Sequence, residues 1–312
     1  MSYSLSNNLP KEISVVIPTL AGDSLIKTVE SVCLSELGGM KLEVIIVVPE
    51  VKVDTLKRSL KNYNVTIIGV KKLGQVFQRS VGFKAASGDV VVQLDDDMLF
   101  EKNLLLDLTK KLISLGNGNL VAPLMKDGIT GIIGQKAHPR TIKGFFKNIE
   151  DFLIFGLPFD RNIQGVFSVY SRARGIDPCV YVDDLIKVEW LPGGFVMGYK
   201  SELIIDDFYQ IKGKAFAEDL IHSQIRNSHG LKHWLVRDLV TVHCAPLSQE
   251  CRTIKQDLLL FISEMKKYIW VSNRLGGYKA RIFFSVIAQS LIQVIRLLKN
   301  SKLAGGKSRS FK

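Results

Sequence analysis

Three consecutive carboxylates, Asp95-Asp96-Asp97, end the run Gly88-Asp89-Val90-Val91-Val92-Gln93-Leu94. Adjacent carboxylates repel one another, so stability alone gives little reason to place them together. In extended geometry Asp95 and Asp97 point to one side and Asp96 to the other. Two oxygen donors on one side suit a hard divalent cation that also holds phosphates. The bland alternative is a solvated acidic turn in which Asp97 caps the following helix. A second acidic pair, Glu218-Asp219, opens a predicted helix that ends at 227–230, where the helix dipole favours carboxylates in the first turn. His243 directly follows a strand-like run, a position where a lone histidine is commonly structural but where it can also bind a metal. Gly193-Gly194, after Pro192, lets the backbone approach a ligand closely or simply makes a turn.

The elements that must position these residues alternate through the first half of the chain. Residues 13–17 read as a strand stopped by Pro18, and Asp23 or Ser24 can cap a helix to about residue 37. A second strand, 43–48, stops at Pro49, and a helix over 51–62 precedes a third strand at 65–70. A helix over 75–86 is closed by Gly88, residues 90–94 form a fourth strand, and a helix over 101–115 ends at Gly116. Val90 to Leu94 has the β-branched richness of a strand buried on both faces. Such strands deliver functional groups at their carboxyl ends. Repeated β-α units with short links predict a parallel sheet with helices on both faces. Beyond residue 121 the alternation fails. Residues 135–184 are aromatic and basic, and could face a nucleic acid, a sugar or a lipid headgroup, or serve as helical cover for the sheet. Further strands are predicted at 187–191, Phe195–Tyr199, 232–236 and 239–242.

With 312 residues the chain can bury a sizeable core, and its composition is globular, 46% hydrophobic and 23% charged. The formal net charge of +12 points to an anionic partner. It is uneven: residues 266–312 hold eleven Lys/Arg and no Asp or Glu. Cys33, Cys179, Cys244 and Cys251 form no CxxC pair and no metal spacing, and read as reduced thiols. The polar N-terminus lacks the apolar core of a signal peptide, and no stretch reaches the ~18 apolar residues of a spanning helix.

The order Val15-Val16-Ile17-Pro18-Thr19, Gln78-Arg79-Ser80-Val81-Gly82, Ala86-Ser87-Gly88-Asp89 and Asp95-Asp96-Asp97 resembles the nucleotide half of the family 2 glycosyltransferases of GT-A fold. Trp190-Leu191-Pro192-Gly193-Gly194, Glu218-Asp219 and His243 are similar to its acceptor half. The resemblance covers roughly residues 12 to 250. It implies an α/β fold of GT-A type, with a mostly parallel nucleotide-binding sheet flanked by helices and a C-terminal helical appendage. In domain terms, 1–250 would be catalytic, with 12–120 as donor half and 121–250 as acceptor half, and 251–312 a basic helical region.

The resemblance also implies roles. Pro18 and Thr19 would lie against the nucleotide, Arg79 near the base and diphosphate, and Asp95 or Asp96 on the ribose. Asp97, with Asp95 and His243, would hold Mn²⁺ or Mg²⁺ bridging the diphosphate, a Lewis-acid role. Asp219 would be the general base that takes the acceptor hydroxyl's proton, with Glu218 orienting it. Gly193 and Gly194 would leave room for the donor sugar. Attack opposite the departing diphosphate would invert the anomeric centre. Two departures stand out: the second strand ends Val47-Val48-Pro49-Glu50 where many relatives have Asp, with Glu50 as the substitute, and Ser80 replaces the usual Asn. The implied partners are a nucleotide-sugar donor and a glycan or polyprenyl-linked acceptor in surface polysaccharide assembly.

Residues 282–295 are apolar except for Ser285, Gln289, Ser290 and Gln293. Ser285, Gln289 and Gln293 form a narrow polar stripe at helical spacing. With Arg281 and Arg296 flanking it and a basic tail after it, the segment predicts peripheral membrane contact through 281–312 and a place at the cytoplasmic face of the membrane. The alternative is a helix packed on the catalytic domain. A nucleic-acid-binding protein would leave Asp95–Asp97 unexplained, and no helix-turn-helix, zinc or RNP signature is present. A dehydrogenase would show GxGxxG after the first strand. A sugar nucleotidyltransferase would carry a Gly- and Lys/Arg-rich loop where Leu20-Ala21-Gly22-Asp23 stands.

Overall fold

A computed structural model describes residues 9–135, 141–160, 162–211, 215–244 and 254–307. In chain order the elements are β1 (Glu12–Pro18), α1 (Leu25–Cys33), β2 (Lys41–Pro49), α2 (Val53–Ser59), β3 (Thr66–Val70), α3 (Gln75–Ala85), β4 (Val90–Leu94), β5 (Met98–Phe100), α4 (Leu104–Leu115) and β6 (Asn119–Asp127). There follow α5 (Ile142–Leu153), β7 (Val166–Ser168), β8 (Arg172–Arg174), β9 (Leu185–Val188), β10 (Phe195–Tyr199), α6 (Glu218–Ser228), β11 (Lys232–His243), α7 (Ile254–Arg274) and α8 (Lys279–Lys307).

These elements divide into two compact units. The first comprises Met1–Ala137, Asn162–Val166 and Arg174–Pro246, and the second His138–Arg161, Phe167–Ala173 and Leu247–Lys312. The first unit is built on one sheet of order β3-β2-β1-β4-β10-β6-β11-β5, with β9 paired to β11. Strands β3, β2, β1 and β4 run parallel, as their uninterrupted Val/Ile runs require when helices cover both faces. From β4 onward the sheet is mixed. β10 lies antiparallel to β4 and β6, and β11 is parallel to β6 but antiparallel to β5 and β9. The α/β expectation of a sheet flanked by helices holds, but the sheet is mixed rather than mostly parallel: the continuous parallel run is β3-β2-β1-β4, and β6 and β11 form a second parallel pair.

The parallel half is closely packed. Every residue of β4 is buried, and Val15, Val44 and Val92 sit in register across three strands. α3 approaches β1 so closely that a Cβ on Gly82 would stand 2.3 Å from Val16 Cγ1, which makes glycine the residue that fits there. α1 and α4 bury Leu25, Val29, Leu105, Leu108 and Leu112 in the same core as Val15, Val92 and Leu94.

Several predicted elements differ in detail. The helix expected from residue 101 begins at Leu104, because Met98–Phe100 first forms β5 against β11. The strands expected at 232–236 and 239–242 are one strand, β11, with a bulge between Val236 and Val240 where Arg237 and Asp238 interrupt the apolar pattern. The strand expected at 187–191 lies earlier, at Leu185–Val188. Cys33, Cys179 and Cys244 are free, and Cys251 lies outside the described residues.

Within the second unit, α8 packs on the end of α5: Arg281 donates to the carbonyls of Phe152 and Leu153, and Ser285 donates to Ile154 O at 2.5 Å. Tyr268 of α7 stacks edge-on against Phe155. Among the described residues no helix is long and apolar enough to cross a membrane.

Candidate active site

β1, β2 and β4 end side by side, so parallel pairing delivers Pro18, Thr19, Glu50 and the Asp95–Asp97 triad to one edge of the sheet. The triad is not extended. β4 stops at Leu94, and Asp96 and Asp97 occupy a turn into β5. The three carboxylates therefore diverge to three different partners instead of alternating between two sides.

Asp95 faces α3. Its Oδ1 accepts from Arg79 Nη2 at 2.7 Å and from Gln75 Nε2 at 3.0 Å, while its backbone N–H donates to Gly194 O at 2.8 Å. Arg79 continues the chain of contacts: Nη1 donates to Glu218 Oε1 at 3.2 Å and Nη2 to Gly193 O at 3.2 Å. This arginine is 2% exposed. Burial alone would weaken its charge, but the Asp95 and Glu218 carboxylates outweigh that and raise its pKa. Asp95, expected among the metal ligands, holds Arg79 through Oδ1. Glu218 is tied through Arg79 to the triad.

Asp96 turns to β1, where Thr19 Oγ1 donates to its Oδ2. Burial raises the Asp96 pKa, the Thr19 hydrogen bond opposes this, and the charges of Asp97 and Asp95 add to it. Thr19 is itself held: its N–H donates to Val47 O at 3.0 Å, and Gln78 Nε2 donates to both Thr19 O and Val47 O at 2.8 Å. Pro18 is buried at the end of β1, and Glu50 is exposed just beyond β2.

Asp97 meets β11. The antiparallel β5–β11 register pairs His243 with Met98, and His243 Nε2 lies 3.2 Å from Asp97 Oδ2. The Asp97 hydrogen bond raises the histidine pKa, burial opposes it, and the charges of Asp97, Asp95 and Asp127 add. Asp97 Oδ1 is buried and lacks a hydrogen-bond partner among the described residues. Among those residues no group of three or more His, Cys, Asp or Glu side chains is arranged around a metal. A Mn²⁺ or Mg²⁺ that takes one or two protein donors and completes its shell with substrate phosphates and water needs only two. The unpartnered Asp97 oxygen with His243 beside it fits that requirement.

α6 supplies the acidic pair. It starts from Ala217 in a left-handed conformation (φ 52°), which sets Glu218 and Asp219 in its first turn. Burial first, and then the charge of Glu218, push the Asp219 carboxyl up to about 7. One turn on, His222 and Arg226 share the buried face with Glu218. Desolvation lowers Arg226 to about 9 and keeps the His222 imidazole neutral.

The two glycines, expected to leave room for the donor sugar, lie close to side chains of the chain itself. A Cβ on Gly193 would stand 2.9 Å from Glu218 Oε1, and one on Gly194 would stand 2.2 Å from Met98 Cε and 3.1 Å from Met125 Cε. A side chain at either position would force Glu218, Met98 or Met125 to shift. Gln75, Gln78 and Gln93, which donates to Gly193 O, are positioning residues to which the sequence attached no role. Gln93 carried a visible signal, as the one amide in an otherwise apolar buried strand.

Among solved structures, "GalNAc-T7 with UDP, GalNAc and Mn2+" superposes with a TM-score of 0.60 at 18% identity over 86% of this chain; the chain spans 48% of that protein's length. Weaker likenesses include the mannosyltransferase PcManGT from Pyrobaculum calidifontis in complex with GDP-Man and Mn2+ (TM-score 0.48, 13% identity, 96% of this chain and 81% of that one). Another is S. aureus TarS 1-349 (TM-score 0.47, 14% identity, 82% and 65%). No curated protein matches by sequence. Residues 14–168 match the model of glycosyl transferase family 2, and with a GT-A-type sheet carrying these residues on its edge the chain belongs to that family.

Proposed function

We propose that this protein transfers one sugar from a nucleoside-diphosphate sugar to a hydroxyl of a glycan or lipid-linked glycan, with inversion at the anomeric carbon. The observation that carries the reading is the line of contacts Glu218–Arg79–Asp95 near Asp97–His243, with Asp219 next to Glu218 in the first turn of α6; it supports a base and a cation site close to one another. Family membership supports sugar transfer, and the Mn2+ and UDP in the GalNAc-T7 structure support a metal-held nucleotide.

In this reading Thr19, Pro18 and Glu50 line the nucleoside, and Asp96, fixed by Thr19, accepts from the ribose hydroxyls. Arg79 draws Asp95 and Glu218 together and leaves Asp97 free for the cation. Asp97 and His243 would hold a divalent cation, which would offset the charge on the departing diphosphate. Asp219 removes the proton as the acceptor hydroxyl attacks the anomeric carbon from the side opposite the diphosphate. The proton goes to the carboxylate, the new C–O bond replaces the bond to the diphosphate, and inversion follows. The resemblance supports surface polysaccharide assembly as the setting, and the basic second unit supports peripheral contact with the cytoplasmic face of a membrane.

Thermal unfolding against a panel of nucleoside diphosphates, with and without Mn²⁺, tests the donor site. A ligand at a hundred times its Kd adds about 2.7 kcal/mol. One nucleotide is expected to stabilise the protein only with metal, and Asp97→Ala to lose that gain. A gain that survives Asp97→Ala would remove Asp97 from the site.

A further inference from the structure

Two helices of the second unit are inside out. On α8, Ser285 is fully buried and bonds to Ile154 O, and Gln289 Nε2 is buried. The opposite arc carries Phe283, Phe284, Ile287, Leu291 and Val294, all exposed, with Phe283 at 68%. The polar stripe predicted from the sequence therefore faces the protein, and the apolar face looks outward. α5 repeats the pattern. Asn148 and Asp151 are buried, with Asp151 within 3.4 Å of Lys147, while Phe145, Phe146, Phe152 and Leu153 are exposed. Phe145 and Phe152 also stack edge-on against the exposed Phe159. A helix normally buries its apolar face and wets its polar one, and large exposed apolar surface marks an interaction site.

Charge decides between occupants. α8 carries Lys279, Arg281, Arg296, Lys299, Lys302 and Lys307 and no acid. Two copies meeting through it would bring like charges together, whereas anionic headgroups would attract them. An apolar arc with cationic residues at its ends is the arrangement of a helix lying in the interface plane.

We infer that the outward faces of α5 and α8 dock flat on an anionic lipid bilayer, with Phe145, Phe146, Phe283 and Leu291 entering the headgroup–acyl boundary. This rests on the peripheral membrane contact proposed above and names its surface. It places a lipid-linked acceptor and the enzyme on the same plane.

The test is co-sedimentation of the full chain with vesicles of phosphatidylglycerol and phosphatidylcholine, with phosphatidylcholine alone as control. Wild type is expected to partition to the anionic vesicles. The double variant Phe283→Gln/Leu291→Gln should lose roughly tenfold or more in partitioning. Its melting temperature and nucleotide response should be unchanged, because those side chains are exposed. Phe146→Gln is expected to weaken binding in the same direction, an outcome a purely C-terminal anchor would not give. Wild-type binding with undiminished binding by the double variant would overturn the named face while leaving membrane contact standing. No wild-type binding would overturn both. Equal binding to neutral vesicles, or a dimer that the double variant converts to monomer, would also overturn the inference, the latter by assigning the face to a second copy.

Discussion

Asp219→Asn is expected to lower kcat about a thousandfold, the range by which a positioned base accelerates a proton transfer. Metal-dependent stabilisation by the nucleotide should persist, since the substitution removes a proton acceptor and leaves Asp97, His243 and Thr19 in place. The pH profile makes the assignment specific. Burial, with the neighbouring Glu218 charge, puts the Asp219 carboxyl near pH 7, far above an ordinary aspartate. The group must be ionised to act as base, so activity should rise as pH increases through about 7 and level off above it. The residual activity of Asp219→Asn should lack that rise. Retained turnover with an unchanged profile would assign the base elsewhere.

Arg79→Met should cost about 3–5 kcal/mol of stability, the size associated with leaving buried charge uncompensated. Arg79 is nearly inaccessible and is shared between Asp95 and Glu218, whose side chains are 25% and 11% exposed, so both would lose their partner at once. For a chain of this size the loss corresponds to a fall in Tm on the order of 10 °C. Arg79→Lys should lie between, because an ammonium keeps the charge but cannot span two carboxylates with a planar fork. The Arg79 charge also lowers the Asp219 pKa. If Arg79→Met is assayed below its melting point, the rise in activity should therefore move to higher pH. An unchanged Tm would mean that the Asp95–Arg79–Glu218 chain is not a structural brace.

The donor half was legible because its strands are short Val/Ile runs, two of them ending at Pro18 and Pro49, a pattern with few other readings. β10 coincides with its predicted span for the same reason. The acidic triad and Glu218-Asp219 were visible as chemistry, but their partners were not. That Asp95 meets Arg79 depends on where β4 stops and turns, and no spacing rule records that. β5 is three residues long and exists only because β11 pairs with it. Gly193 and Gly194 read as room for a ligand, and the sequence did not show that Glu218, Met98 and Met125 crowd them. On α8, periodicity revealed that one face differs from the other. It could not say which face points inward, because that depends on Ile154 offering a carbonyl to Ser285.

The most direct test of the central claim is release of nucleoside diphosphate from a panel of nucleotide sugars, with Mn²⁺ and with the metal chelated, in wild type, Asp97→Ala and Asp219→Asn. Metal-dependent release from one donor by wild type, lost in both variants while Asp219→Asn still binds the nucleotide, is the predicted result. Release that is indifferent to chelation and to Asp97, or a chain that neither binds nor cleaves any nucleotide sugar, would contradict the account.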